Sequence, residues 1–140
     1  MEYIQRILLK SEHFTIGLGD YLIFSSYKKG LDAEQKVLDY FLAQGYVPIH
    51  RRLRTPFGEL DLVCSKGYEI LFIEVKYRTK LLNAREALGL RQKKRILQAS
   101  QWLINQMNEK YDTCQVCVVV VSGRCIECYF NACVEGYDTV

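Results

Sequence analysis

GELDLVCSKGYEILFIEVKYR, Gly58 to Arg78, is the stretch on which the reading of this chain turns. ELDLVC and EILFIEVKYR are two strand-like runs joined by a short turn around Lys66-Gly67, the pattern of a hairpin. Alternation along a strand puts Ile73, Val75 and Tyr77 on one face and Phe72, Glu74, Lys76 and Arg78 on the other. In the first run Leu60, Leu62 and Cys64 share a face, opposite Glu59, Asp61 and Val63. A two- or four-residue loop pairs odd positions with even ones, which places Asp61 on the side of Glu74 and Lys76. A three-residue loop breaks that parity unless a bulge restores it.

The favoured register therefore gathers two carboxylates and an ammonium on neighbouring strands. Same-face residues sit roughly 6.5 to 7 Å apart along a strand, within reach of one shared ion. Glu34 is a further candidate, because it falls on the apolar stripe of a helix with Val37, Leu38 and Phe41, where an acid needs a partner or a metal. Hard oxygen donors of this kind suit Mg²⁺ or Mn²⁺. With a phosphodiester as the remaining ligand, such an ion activates water and neutralises charge developing on phosphorus. Lys76 would orient the water or stabilise the transition state. The competing reading is an ion pair between Glu74 and Lys76 on a solvent face, with Glu34 favouring the positive end of its helix.

Outward from the hairpin, LDAEQKVLDYFLAQGY reads as a helix. Asp32 and Gln35 form a capping box, Gly45 is the stop, and Ala33, Val37, Leu38, Phe41 and Leu42 make the stripe. YVPIHRRLR follows as a strand kept at an edge by Pro48. After the hairpin come a second helix, roughly Leu90 to Met107, with Ile96, Ala99, Leu103 and Met107 on one face, and two strands, CQVCVVVV and CIECYF, joined at Ser122-Gly123. The order α-β-β-β-α-β-β predicts an α/β or α+β layer, a mixed sheet of about five strands flanked by helices, over residues 30–140. Residues 1–29 read as an N-terminal extension, partly helical, that packs onto this domain.

The chain has 140 residues, 49% hydrophobic and 25% charged, with a net charge of +3. These values describe an ordinary globular domain and identify no partner. The cations are clustered, in Arg51, Arg52 and Arg54, in Lys76, Arg78 and Lys80, and in Arg91, Lys93, Lys94 and Arg95. Clusters of this kind can present a basic face to a polyanion. No apolar run is long enough to cross a membrane, and Glu2 with a broken apolar run makes MEYIQRILLKSEHF a poor secretory signal. The expectation is a cytoplasmic protein with no membrane partner and reduced thiols.

Cys114, Cys117, Cys125 and Cys128 form a CxxC…CxxC pattern that invites a zinc reading. Both pairs lie in strand-like runs, where residues three apart face opposite sides, so packing is the better account. Cys64 and Cys133 read the same way. His13 and His50 are isolated, and Trp102 reads as a core or interface residue.

GELDL with EVK thirteen residues beyond Asp61 resembles the bipartite signature of the PD-(D/E)xK nuclease superfamily. The chain is more closely similar to the YraN-like family of small, largely uncharacterised bacterial proteins, through the GELDL strand, the EVKYR strand, the basic turn of the second helix and Asn131-Ala132. This likeness covers about residues 30 to 133. It implies a restriction-endonuclease-like core near in design to Holliday-junction resolvases. By position, Asp61 and Glu74 become metal ligands, Lys76 the catalytic cation and Glu34 an accessory ligand. It also implies an endonuclease acting on DNA, branched or damaged, with Mg²⁺ or Mn²⁺ as cofactor and a homodimer as the assembly. Phosphate-contact candidates are Arg78, Arg91, Gln92, Lys93, Lys94 and Arg95, with Gln92 standing where relatives often carry lysine. Gln115-Val116-Cys117 replaces a segment in which relatives often show an acid. Two other functions compete, a non-catalytic nucleic-acid-binding module on a nuclease scaffold and a zinc-stabilised interaction domain.

Overall fold

The structure, a computed structural model, describes residues 3–8, 26–78, 89–123 and 125–130. Six strands and two helices follow the order β1 (Tyr3–Leu8), α1 (Ser26–Ala43), β2 (Val47–Thr55), β3 (Gly58–Lys66), β4 (Glu69–Tyr77), α2 (Leu90–Gln106), β5 (Thr113–Ser122) and β6 (Cys125–Phe130). From α1 onward this is the α-β-β-β-α-β-β order read from the sequence. The strands form one mixed sheet in the order β1-β6-β5-β4-β3-β2.

β3 and β4 form the expected hairpin, and their turn settles the parity question. Lys66 pairs with Glu69, so the loop is the two residues Gly67 and Tyr68. Gly67 has φ 58, the positive angle that the first position of a type II′ turn demands. Leu62 then faces Ile73 and Val63 faces Phe72. β4 pairs parallel with β5 from Glu69↔Thr113 to Tyr77↔Val121, a pairing that needs α2 as its crossover.

Each helix covers one face of the sheet. On one side Ala33, Val37, Leu38 and Phe41 of α1 pack with Leu62, Cys64, Leu71, Ile73, Cys117, Val119 and Val121. On the other, Ile96, Ala99 and Leu103 of α2 pack with Leu60, Val63, Ile70, Phe72, Val116, Val118 and Val120. β4 and β5 contribute to both clusters in strict alternation, as strands covered on both faces do. Trp102 and Met107 lie partly buried against the α2-side cluster.

Several boundaries and faces differ from the sequence reading. α1 begins at Ser26, so Asp32 lies inside the helix and caps nothing. Tyr, Lys and Lys ahead of Gly30 are tolerated in a helix, and a lone glycine is too weak a breaker to stop it. Gln35 donates instead to Asp39, at 2.9 Å. The other end is as read. Tyr46 N–H reaches the Phe41 carbonyl and Gly45 N–H the Leu42 carbonyl, each at 3.0 Å, a Schellman closure sealed by Tyr46 packing edge-on against Phe41. Leu42 falls on the flank of the stripe and is 44% exposed.

Tyr3–Leu8 is a strand, not helical, and runs antiparallel to β6 from Tyr3↔Phe130 to Leu8↔Cys125. The sheet therefore has a sixth strand, and part of the expected extension belongs to it. The rest of that extension up to residue 25, with His13, Lys80, Asn131-Ala132 and Cys133, lies outside the described residues.

Cys117 and Cys128 are buried in the α1-side cluster. Cys114 is exposed near the start of β5, and Cys125 pairs with Ser122 at that strand's far end. The four thiols thus do not share a locus on the sheet.

Candidate metal centre

The site grows out of a break in the sheet. Paired residues of β3 and β4 run only as far as Leu62↔Ile73. One residue earlier, Asp61 Oδ2 accepts the Val75 backbone N–H at 2.9 Å, so a side chain stands in for a ladder carbonyl. Across β2 the partner position, between Arg51↔Leu62 and Leu53↔Leu60, is Arg52. Arg52 has φ 50, left-handed backbone that non-glycine residues rarely adopt and that marks functional sites more often than ordinary strands.

This break overturns one face assignment. Leu60 packs with Val63 on the α2 side, while Leu62 and Cys64 lie on the α1 side. Regular alternation fails at Asp61, whose carboxyl turns to Val75 rather than to either face. Asp61 still meets Glu74, and the two carboxyls lie close enough to share a hydrogen bond.

Glu74 sits in the middle of the sheet and is 5% exposed. Its Oε1 is crowded by Gln92 Nε2 at 3.2 Å, Arg95 Nη2 at 3.2 Å and Lys76 Nζ at 3.6 Å. Its Oε2 is buried, with no hydrogen-bond donor among the described residues. Burial, followed by repulsion from Asp61, pushes the Glu74 carboxyl up to about 7, against the pull of Lys76 and Arg95. Burial also raises Asp61, offset by the Val75 hydrogen bond and Lys76. At neutral pH the pair is thus poised to hold a proton or to release it to a cation.

Glu34 projects from the first half of α1 and is 7% exposed. Burial raises its carboxyl, and Asp61 raises it further. Its Oε2 has no hydrogen-bond partner among the described residues, and Arg52 Nε stands 3.5 Å away. The same nitrogen lies 3.7 Å from Glu59 Oε1. Arg52 thus bridges the helix acid to the start of β3.

The donor chemistry fits a divalent cation. Two carboxyls from adjacent strands face each other, and an oxygen of one has no donor among the described residues. Among the described residues no three His, Cys, Asp or Glu side chains gather into a complete cage. A hard ion that accepts one or two carboxylates and fills its sphere with water and substrate oxygens matches such a set. Asp61 and Glu74 would hold it, with Glu34 beyond Arg52 as the accessory acid.

Of the other residues picked from sequence, Lys76, Gln92 and Arg95 converge on Glu74. Arg91 and Lys94 point outward from α2, and the exposed Arg78 folds onto the carbonyl of its neighbour Tyr77 at 2.8 Å. Lys93 is half-buried on the same helix. Sequence reasoning missed three contributors, Arg52, Glu59 and Gly58. Gly58 and Glu59 stand inside GELDL and Arg52 in the basic cluster ahead of it, but nothing in the sequence marks a left-handed arginine or a notch.

A family profile described as "Uncharacterised protein family UPF0102" matches residues 33–121, which include all four acids. A UPF0102 protein of Rhodopseudomonas palustris strain BisA53 is 44% identical over 81 residues, 57% of this chain and 62% of that relative. One from Nitrobacter winogradskyi is 40% identical over 81 residues, 57% of this chain and 69% of the relative. One from Acidiphilium cryptum strain JF-5 is 43% identical over 72 residues, 51% and 56% respectively. The match spans 62% of the first relative's length, short of two thirds.

Proposed function

We propose that this chain, which belongs to the uncharacterised protein family UPF0102 (the YraN-like proteins), is a Mg²⁺- or Mn²⁺-dependent endonuclease of the PD-(D/E)xK type that hydrolyses DNA phosphodiester bonds. The observation that carries the reading is the meeting of Asp61 and Glu74 where the β3–β4 ladder gives out, with a lysine ammonium 3.6 Å from Glu74. A binding module gains nothing from buried acids that repel phosphates, whereas a hydrolase needs them to hold a cation.

The bound ion would supply Lewis acidity and a more acidic water. The chain's own groups do the rest. Asp61 is fixed by the Val75 N–H, and Glu74 by two donors and a nearby ammonium on one oxygen, so neither acid has to reorganise on binding. Lys76 carries a fixed positive charge where negative charge gathers on a phosphoryl group. Arg91 and Lys94 on exposed α2, with Arg78 beyond β4, offer sequence-independent phosphate contacts. Branched or damaged DNA as substrate, and a homodimer as assembly, follow from the resolvase likeness alone.

The test is cleavage of linear, single-stranded and branched DNA with Mg²⁺ or Mn²⁺ by wild type, Glu74→Ala and Lys76→Ala. Metal-dependent cutting that both variants lose is expected. Equal cutting by the variants, or none by wild type, ends the nuclease reading.

A further inference from the structure

Gly58 opens β3 at φ 120, and a Cβ built on it would lie 2.7 Å from Arg95 Cδ and 2.9 Å from Arg95 Nη1. The arginine side chain therefore crosses directly over the Gly58 backbone, in a notch that only a missing side chain leaves open. Beyond the notch Nη1 donates to the Glu59 carbonyl at 2.6 Å and Nη2 to Glu74 Oε1 at 3.2 Å. One planar fork thereby ties α2, the start of β3 and the centre of β4 together.

We propose that Arg95 is the positioning residue of the metal centre: seated over Gly58, its guanidinium holds Glu74 by Oε1 and leaves Oε2 to the ion. The inference rests on the nuclease reading and assigns this cation a task other than touching DNA. An arginine serving phosphates keeps its fork outward, but this one has both ends of the fork committed to the protein. Arginine suits the task because its rigid, always-charged fork spans a carbonyl and a carboxylate at once, which a lysine cannot do.

Charge and position predict opposite outcomes here. A guanidinium that merely stood beside the acids would repel an incoming cation, and removing it would tighten metal binding. A guanidinium that orients the ligand weakens binding when removed, and outer-shell partners of metal ligands are commonly worth about 10- to 100-fold in affinity.

The experiment is calorimetric titration of the full chain with Mn²⁺, beside its thermal unfolding and the salt dependence of its DNA affinity. Arg95→Gln is expected to lose about tenfold or more in Mn²⁺ affinity while its DNA salt slope stays that of wild type. Arg95→Lys keeps the charge and recovers part of the loss. Gly58→Ala keeps every charge but fills the notch, and is expected to weaken Mn²⁺ binding as well. Should its strained alanine prevent folding, the two Arg95 variants carry the test. Unchanged or tighter Mn²⁺ binding by Arg95→Gln, or a flattened salt slope with metal affinity intact, overturns this inference alone. A wild type that binds no Mn²⁺ overturns the nuclease reading and this inference with it.

Discussion

Asp61 and Val75 are joined by a side chain rather than by the ladder: the Asp61 carboxylate accepts the Val75 N–H at 2.9 Å across the point where β3 and β4 part. The contact fixes Asp61, yet burial still holds its carboxyl above the usual range, so its charge strains the fold. Asp61→Asn keeps an acceptor for Val75 and removes that charge. It is expected to stabilise the metal-free protein against urea while abolishing metal binding. Urea unfolding without metal checks it, and a loss of stability would mean that the charge itself supports the fold.

Glu74 gives the metal-free protein a pH dependence. Its ordinary value is 4.5 and its folded value is about 7, so between them the folded state binds a proton that the unfolded chain does not. Through this group, stability falls as pH rises from about 4.5 to about 7 and is flat above. Raised Asp61 and Glu34 act in the same sense. Denaturant midpoints across that interval should decline in wild type and decline less in Glu74→Gln. Parallel curves for the two proteins would show that Glu74 titrates elsewhere.

A left-handed arginine beside a buried acid predicts coupling between Arg52 and Glu34. Relieving the backbone with Arg52→Asn is worth about 1 kcal/mol, but it strands the Glu34 carboxylate. The single variant is therefore expected to be neutral or destabilised. In a Glu34→Gln background the same change is expected to stabilise by about 1 kcal/mol. Additive effects in this cycle would show that Arg52 does not serve Glu34.

Exposed cations on α2 predict a different signature. Arg91→Ala with Lys94→Ala should weaken DNA binding at every sequence and reduce the salt slope by about 0.9 for each phosphate no longer neutralised. Fluorescence anisotropy over a salt series measures it, and a slope equal to wild type would assign the DNA face to another surface.

The fold was legible wherever pattern alone decides it. Glu69–Arg78 read as a strand, Lys66-Gly67 marked a turn whose length only the structure fixed, and the Val116–Val121 run read as a buried strand. The centre of the site was legible through the same parity, which set Asp61 beside Glu74. Asp61's actual neighbourhood was not, because the alternation that placed it stops at Asp61 itself. Leu60 changes face there, for a reason that lies in β2, where Arg52 adopts an angle its side-chain type does not announce. The contact of Arg95 with Gly58 was hidden for a related cause. Their meeting joins α2 to the first residue of β3, and it depends on the missing Cβ of one and the full length of the other. The start of α1 was misjudged because cap signals at Asp32 and Gln35 are local, and a longer helix made them redundant.

β2 lies at one margin of the sheet, and within five residues its backbone is interrupted three times, by Pro48, by the register shift before His50 and by left-handed Arg52. A neighbouring molecule seeking to add a strand there meets no long row of amides and carbonyls in step, and it meets Arg51, Arg52 and Arg54 besides. The distortion opposite Asp61 thus also guards that margin against templated, strand-on-strand aggregation. Straightening β2 to strengthen the sheet would therefore carry a double penalty, a disturbed Asp61 and a chain prone to stacking on its own copies.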